Sequence, residues 1–379
     1  MKKACLFTFI FLCIAMPAFS EPQLIWKQVW DSGHNDYTPH VILDKKGNIY
    51  VASSFNNPFE AGHQADMRLM KYDNQGNVVW NRTYDGGEGS DYSNGVLQDT
   101  KGDIYLYGQS FNKKDSLWDL RIIKYSEKGE VIWNISDKAN KNTVAIGIDI
   151  AENDNLYILG LQTLFDKKIM RLKSYDSAGK GLWEKDYDIV FEPKAMRLYK
   201  DAIYITGSRF NPQKNGWDML LLKLDRSGKM LWEKVVYNKG LDNKPVSIIF
   251  DESGNIYIGG TSGNTEGPDR YYKVVLLKYT DSGKLLWEGS YDSKLGDVAW
   301  DARLGEDGFI YVTGNTGGSL FVVKFDMNGK VLWHVNYEGG DKDVGTGVAA
   351  DENGNVIVCG VTITKSTKSP DILTVKYRQ

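Results

Sequence analysis

Short apolar stretches alternate with polar turns along the chain after its first twenty residues. One phrase returns in nearly the same form, as in DNQGNVVWNRTYD (73–85) and TDSGKLLWEGSYD (280–292). Apolar and polar positions alternate within each copy, and glycines bound the runs, which is the pattern of half-buried strands joined by tight turns. No helical periodicity lies between the strands, so the pattern excludes a doubly wound α/β fold.

Each copy of the phrase contains a tryptophan, and in six copies a glycine lies four positions before it. The tryptophans are 46 to 55 residues apart, and a repeat of this length, here with four strands, indicates a propeller or a solenoid. Trp80 and Tyr84 share one face of their strand, as do the equivalent pairs. We expect the indoles to be structural wedges between neighbouring sheets. They are Trp26, Trp80, Trp133, Trp183, Trp232, Trp287 and Trp333.

The turns between the strands have the form Asp-x-x-Gly, as in DESGN (251–255). The aspartate side chain bonds to the backbone two residues on, and glycine supplies the positive φ that closes a short hairpin loop. A calcium loop is the alternative reading, but it needs several oxygen ligands and these turns offer too few. We therefore predict plain turns.

The two ends of the chain complement each other. The chain begins with a tryptophan strand, LIWKQVW (24–30), and ends on a third strand, DILTVKY (371–377), which has no fourth strand after it. If the first strand completes the last sheet, the ring has no open edge. The sequence therefore predicts an all-β, seven-bladed β-propeller with four antiparallel strands per blade, closed by the N-terminal strand.

The first twenty residues are a different kind of segment. Lys2 and Lys3 precede an apolar run that ends at Met16, and Ala18-Phe19-Ser20 has the small-x-small form of a signal-peptidase site. The apolar run is about a dozen residues long, whereas a membrane anchor needs roughly 20. We expect residues 1–20 to be a cleaved signal peptide, residues 21–379 to form a single propeller domain, and the protein to be periplasmic or secreted.

Loss of residues 1–20 leaves one cysteine, Cys359, so no intrachain disulfide can form. The net charge of −3 becomes −5 when Lys2 and Lys3 are removed. Without a basic block, this mild acidity argues against a nucleic-acid partner. Any membrane association is expected to be indirect.

The repeat, written Asp-x-x-Gly-Asn-x-Tyr-Val-x-Gly and then Lys-Tyr-Asp-x-x-Gly-x-x-x-Trp, resembles the seven-bladed propeller (SBBP-type) repeat of exported bacterial proteins. The resemblance covers residues 24–379 and implies a propeller without implying an activity. The chain is more distantly similar to pyrroloquinoline-quinone (PQQ) and BamB-like propeller repeats. The quinone family often carries a vicinal cysteine pair over its cofactor, which the single mature cysteine cannot supply. We expect no cofactor.

Four long, irregular loops carry aromatic residues outside the wedge positions. The loops are 53–66, 109–119, 208–218 and 261–273. Long loops on a rigid scaffold are common sites of binding, and aromatic side chains with polar neighbours suit a peptide, glycan or protein surface. In the alternative reading each ring packs over its own blade. The candidate ligand-binding residues are Phe55, Phe59, Phe111, Trp118, Phe210, Trp217, Tyr271 and Tyr272.

Two sets of aspartates are expected on the same face as these loops. Asp36, Asp91, Asp297 and Asp343 precede first strands, and a second set precedes third strands: Asp66, Asp119, Asp218 and Asp371. They form either an acidic rim that attracts a cation or basic ligand, or caps that tie loops in place. Their recurrence in several blades favours capping, and we predict no metal site.

Catalytic motifs are absent from the sequence: it has no HExxH, GxSxG or Walker loop. His34 and His40, near Asp36, are the one candidate pair of base and orienter, and we predict no catalytic residue. The expected function is an exported binding or scaffold protein, acting through its long loops as a monomer or within an envelope complex. The alternatives are a propeller lyase, glycosidase or quinoprotein-like enzyme at the channel mouth, and a structural envelope subunit.

Overall fold

A computed structural model describes residues 21–56, 64–87, 89–137, 142–164, 167–239, 242–264, 271–366 and 368–379. Within these ranges the chain forms 28 strands and no helix, and accordingly no helix long and apolar enough to cross a membrane. The predicted signal peptide, Phe59 and His63 lie outside the described residues.

The strands of the first half are β1 Gln23–Trp30, β2 Asp36–Leu43, β3 Ile49–Asn56, β4 Ala65–Tyr72, β5 Val78–Tyr84, β6 Asp91–Gln98, β7 Ile104–Asn112, β8 Leu117–Tyr125, β9 Val131–Asp137, β10 Thr143–Ile150, β11 Leu156–Leu164, β12 Lys167–Tyr175, β13 Gly181–Ile189 and β14 Glu192–Tyr199. Those of the second half are β15 Ala202–Asn211, β16 Gly216–Asp225, β17 Met230–Tyr237, β18 Asp242–Phe250, β19 Ile256–Asn264, β20 Tyr271–Tyr279, β21 Leu285–Tyr291, β22 Val298–Leu304, β23 Ile310–Thr316, β24 Ser319–Phe325, β25 Val331–Tyr337, β26 Lys342–Ala350, β27 Val356–Ile363 and β28 Pro370–Arg378.

Consecutive strands pair antiparallel in groups of four, and each group is a blade. Blades 1 to 6 are β2–β5, β6–β9, β10–β13, β14–β17, β18–β21 and β22–β25, and blade 7 is β26, β27, β28 and β1. A single bridge between Trp217 and Asp242 links blades 4 and 5. The first strand of each blade packs against the first strands of its neighbours, and β2 also meets β26, so the blades form a ring.

The N-terminal strand closes the ring, as predicted. β1 runs antiparallel to β28, with Trp26 opposite Lys376 and Trp30 opposite Ile372. The strand therefore covers the edge that β28 would otherwise leave unpaired. The propeller fold predicted from the repeat is confirmed.

The core lies between the blades. Each of the seven buried clusters found in the described residues combines side chains from two neighbouring blades. In one of them, Tyr50 and Leu69 of blade 1 pack with Val96 and Ile104 of blade 2. A four-stranded sheet cannot bury both faces alone, so neighbouring blades complete each other's core.

The tryptophan of one blade lies against the turn glycine of the next. Trp80 of blade 1 donates its indole N–H to the carbonyl oxygen of Glu127 in blade 2 (3.2 Å). A Cβ added to Gly129 would lie 3.1 Å from that indole, and Gly129 also has φ +79°. Glycine is therefore required at this turn both for its backbone conformation and for the close approach of the ring.

The same joint recurs at six of the seven interfaces. The tryptophan and glycine pairs are Trp26 with Gly76, Trp80 with Gly129, Trp133 with Gly179, Trp183 with Gly228, Trp232 with Gly283, and Trp287 with Gly329. The residue two positions after the tryptophan often adds a second bond, as when Arg82 Nε donates to the carbonyl of Gly129 (2.7 Å). The glycine that precedes the tryptophan of one blade by four positions therefore packs against the tryptophan of the blade before it.

Trp333, at the interface of blades 6 and 7, is the exception. The third and fourth strands of blade 7 are the two ends of the chain, so no turn joins them. Trp333 is nonetheless buried, with 7% of its surface exposed. Its indole N–H has no hydrogen-bond partner among the described residues.

This difference predicts unequal effects of the same substitution. Trp80→Phe and Trp333→Phe remove the same ring volume, which lowers the free energy of unfolding at either site. Trp80→Phe also loses an interblade hydrogen bond, whereas Trp333→Phe removes a buried donor that has no acceptor, so the loss should be larger for Trp80→Phe by about 1 kcal/mol. Urea denaturation of the two variants measures the difference, and equal losses would show that the bond to Glu127 contributes nothing.

Candidate functional site

The two sides of the ring differ. The loops from second to third strands, and from fourth strands to the next blade, lie on one side, here called the long-loop face. The turns between first and second strands, and between third and fourth strands, lie on the other side, here called the short-turn face. The channel, or lumen, runs between them and is lined by the seven first strands.

Every first strand contains a break in register near its middle, such as that between Ala145 and Gly147 in β10. A bulge adds a residue and redirects the side chains that follow it. The residues at six of these breaks line an inner cavity of about 170 Å³: Asn94, Ile146, Lys194, Val246, Trp300 and Thr346.

A larger cavity of about 640 Å³ opens on the short-turn face. It shares Tyr107, Ile148, Arg197 and Arg303 with the inner cavity, and its rim includes the first turns of blades 1 and 2. Asp149 also lines it. None of the predicted binding residues that the structure describes lies in either cavity, and the charged residues of the lumen were not among the candidates.

Two lumen aspartates tie first strands together. Asp149 accepts bonds from the backbone N–H of Ile150 (2.9 Å) and of Leu198 in blade 4 (2.7 Å). Asp301 likewise accepts from Ala302 (2.9 Å) and from Val348 in blade 7 (3.3 Å). Both carboxylates therefore latch neighbouring blades at the lumen wall.

Arg303 is paired within the lumen. Its Nε lies 3.1 Å from each carboxylate oxygen of Asp301. The negative charge of Asp301 raises the pKa of Arg303. About 35% of the Arg303 side chain is still exposed, because it faces the open lumen.

Tyr107 reaches the lumen from a second strand. It pairs with Gly95 of the first strand, and a Cβ on Gly95 would lie 2.6 Å from the Tyr107 ring. The missing side chain at Gly95 therefore makes room for the phenol to pass. Burial raises the pKa of Tyr107, so its hydroxyl remains a hydrogen-bond donor at neutral pH.

His40 also lines the inner cavity. Burial lowers the pKa of His40 to about 4, so the imidazole is neutral at pH 7. The charges that act on it are those of Asp301 and Arg303. The structure thus places His40 in the lumen, near the Asp301–Arg303 ion pair. His34 lies in the loop before β2, where its backbone N–H donates to the Ser32 hydroxyl.

On the long-loop face, four rings form a continuous series across blades 1 and 2, here called the aromatic row. Phe111 and Trp118 have ring centroids 5.2 Å apart, Trp118 and Tyr92 5.7 Å, and Tyr92 and Tyr37 5.4 Å. Each of these side chains is half-buried. Sequence reasoning found Phe111 and Trp118 but missed the two tyrosines, which sit at the second position of first strands.

The other predicted aromatic residues are placed differently. Phe55 is buried, at 6% exposure, and the Arg68 guanidinium carbon lies 4.0 Å from the centre of its ring. Phe210 is exposed and packs edge to face on Trp217 at 5.6 Å. Tyr271 is exposed, whereas the Tyr272 hydroxyl donates to Asp242 (3.3 Å). Phe55 therefore belongs to a packed layer, and Phe210, Trp217 and Tyr271 face outward at least in part.

The aspartates before the first strands are buried and bond to loop backbone. Asp91 Oδ2 accepts from Gly86 N (2.7 Å), Asp297 from Ser293 N (2.7 Å) and Asp343 from Gly339 N (2.8 Å). Asp36 accepts from Ser32 N (3.3 Å). Each carboxylate closes the loop that enters its own blade, in the capping geometry. The aspartates predicted to precede the third strands lie instead within the first three residues of those strands, and they are also buried: Asp66, Asp119, Asp218 and Asp371.

Some of these carboxylates lie close together. Asp31, Asp36 and Asp371 form one group, with ligand oxygens within 4.8 Å of one another, and Asp66, Asp85 and Asp91 form a second. Burial raises the pKa of Asp36 to about 7 and that of Asp91 to about 6. Burial therefore favours the protonated form of these two carboxyls, and the nearby Asp371 and Asp85 add a smaller effect in the same direction.

Comparisons with models of protein families and with curated proteins both give no match. Solved structures are similar in fold. The propeller domain of the Trilobed protease from Pyrococcus furiosus is 13% identical, with a TM-score of 0.55, and the match covers 90% of this chain and 95% of that one. The Neurospora crassa Pan2 WD40 domain is 9% identical, with a TM-score of 0.57 and coverage of 90% and 89%. The polysaccharide lyase Uly1 is 10% identical, with a TM-score of 0.57 and coverage of 90% of each chain. These similarities establish a propeller repeat protein.

The raised pKa of Asp36 predicts a pH-dependent stability. Its pKa of about 7 in the folded protein exceeds the ordinary aspartate value of 3.8. The stability it contributes is therefore complete below pH 4 and is lost as the pH rises through 7. Asp36→Asn mimics the protonated carboxyl, so it should match wild type at pH 4 and exceed it at pH 8, by up to about 4 kcal/mol.

Denaturation curves of wild type and Asp36→Asn between pH 4 and pH 8 measure this difference. Asp201→Asn, at an exposed turn, is the control for the loss of one carboxylate. A constant difference between wild type and Asp36→Asn across this range would contradict the assignment.

Proposed function

We propose that this protein is an exported propeller of the SBBP-repeat type that acts as a binding or scaffold protein. Its ligand, a protein, peptide or glycan, contacts the long-loop face at the aromatic row and at the exposed rings of blade 4. The observation that carries the proposal is a pair of equivalent hairpins, one in blade 2 and one in blade 4, which both present a Phe–Trp pair at this face.

The two hairpins have matching sequences, FNKKDSLWD (111–119) and FNPQKNGWD (210–218). In each, the phenylalanine and the tryptophan are directly opposite across the strand pair. Such aromatic cross-strand pairs stabilise a hairpin and hold both rings in one orientation. A rigid aromatic pair loses little conformational freedom when it binds a partner.

The turns of these hairpins are also built alike. The Asn112 side chain accepts from Lys114 N (3.0 Å), and the Asn211 side chain accepts from Gln213 N (3.0 Å). Ser116 and Asn215 adopt positive φ at the same position of the turn. The blade scaffold does not require this hairpin, because blades 6 and 7 have other connections. The repetition therefore favours a role at the surface.

A double variant, Trp118→Ala with Trp217→Ala, tests the proposal. Tagged protein is used to capture ligands from envelope extract, and purified protein is applied to glycan and peptide arrays. The double variant should lose captured ligand by about tenfold or more, because aromatic anchors dominate such interfaces.

The matched control is Ile132→Ala with Leu231→Ala, which removes exposed apolar side chains from the outer strands of the same two blades. It should bind like wild type. Identical capture by wild type and the Trp118→Ala, Trp217→Ala variant would reject the long-loop face as the binding surface. Fractionation of cells producing the full chain tests export, and protein confined to the cytoplasm would reject that part.

A further inference from the structure

We propose that the lumen binds a small organic anion at its short-turn mouth, with the oxyanion group of the ligand held by the guanidinium of Arg197 and the hydroxyl of Tyr107. The ligand carries a carboxylate, sulfate or phosphate group. This site lies on the side of the ring opposite the aromatic row, so it stands independently of the proposed function.

The blade architecture does not explain the charges of the lumen. Arg197, Arg303 and Asp149 each lie opposite the tyrosine of a second strand, at Tyr204, Tyr311 and Tyr157. The equivalent positions of the other four blades hold apolar residues: Ile42, Leu97, Ile249 and Ala349. An apolar side chain at this position of the first strand is therefore sufficient for the fold.

The charges present do not satisfy Arg197. Asp149 and Asp301 are bonded to backbone N–H groups of neighbouring blades, and Asp301 also pairs with Arg303. Within the described part of the chain, the guanidinium of Arg197 makes no hydrogen bond and no ion pair. Its pKa is lowered by burial and, next, by the positive charge of Arg303, and the negative charges of Asp149 and Asp301 only partly oppose this.

An unpaired guanidinium inside a protein is unfavourable, and a fixed anion removes the penalty. Arginine presents a planar fork of donors that matches a carboxylate, a sulfate or a phosphate. The Tyr107 hydroxyl makes no hydrogen bond with any residue in the described ranges, and it is available as a further donor. Arg303 lines the same cavity, where its charge is paired with Asp301.

The cavity has the size and access that such a ligand needs. Its volume of about 640 Å³ lies within the usual range of about 300–1,000 Å³ for small-molecule sites. The rim carries three exposed lysines, Lys45, Lys46 and Lys101, of which Lys46 pairs with Glu127 and Lys101 with Asp154. Acidic side chains also line the cavity: Asp44, Asp99, Glu127, Asp149 and Glu306. The rim therefore carries both signs of charge, and the donors of Arg197 and Tyr107 select the anion.

The test uses the full protein with citrate, glucuronate, sulfate and phosphate as probes, against chloride at equal ionic strength. Isothermal titration calorimetry gives the affinity, and thermal unfolding gives the shift in Tm. Wild type should bind at least one probe and gain several degrees. Arg197→Gln should weaken that binding by roughly 10- to 100-fold, and Tyr107→Phe by roughly 3- to 10-fold.

Lys330→Gln, on an exposed turn at the outside of the ring, is the charge-matched control and should bind like wild type. In chloride, Arg197→Gln should be as stable as wild type or more so, because the half-buried Arg197 guanidinium makes no hydrogen bond or ion pair with the described residues that the substitution could break. A preference for citrate and glucuronate would assign a carboxylate ligand, and a preference for sulfate or phosphate a tetrahedral one. Failure of every probe to bind, or equal shifts in wild type, Arg197→Gln and Lys330→Gln, would overturn the proposal.

Discussion

Each blade of this ring is joined to the next by an indole that lies against the backbone of a glycine turn. The joint requires a carbonyl that accepts the indole N–H, which the residue two positions before the glycine supplies, as Glu127 does for Trp80. It also requires a positive φ and the absence of a side chain, and the glycine supplies both. Because the tryptophan belongs to the fourth strand and the turn leads into the fourth strand of the next blade, the contact is made at the outer rim. The apolar clusters between the blades then fill the space from that rim to the lumen.

A joint at the rim leaves the two ends of the channel free to vary. The short turns are held by their own aspartates, as when Asp44 accepts from the backbone N–H of Lys46 (2.9 Å) and Asn48 (2.8 Å). The loops of the opposite face are closed by buried carboxylates such as Asp91. Residues that serve neither the tryptophan–glycine joint nor the aspartate caps therefore occur in two places. They are the charged residues of the lumen and the aromatic hairpins of blades 2 and 4.

The fold was predictable because the residues that join the blades belong to a short sequence motif that the chain repeats. A glycine and a tryptophan four residues apart mark every fourth strand except the first, and the orphan strands at both ends indicated closure. The repeated phrase does not show which tryptophan packs on which glycine. Gly129 contacts Trp80 of the preceding blade, not Trp133, which follows it four residues later in the sequence. The lumen site was harder to predict. A bulge in each first strand shifts the alternation of faces, so Arg197 and Arg303 cannot be assigned to the lumen by counting.

One feature of the site did leave a signal in the sequence. Charged residues at Asp149, Arg197 and Arg303 interrupt strands that are apolar in the other copies, and an alignment of the repeats on their first strands exposes them. Tyr107 left no signal, because its access to the lumen depends on Gly95 across the strand pair.

The closure of blade 7 has a further consequence for the folding of the chain during synthesis. Gln23 pairs with Arg378, so the circle cannot be completed until the last strand has left the ribosome. Contacts between such distant residues form slowly, and until then β1 has no strand to pair with and β28 has one unpaired edge, which makes the unfinished chain a substrate for holding chaperones.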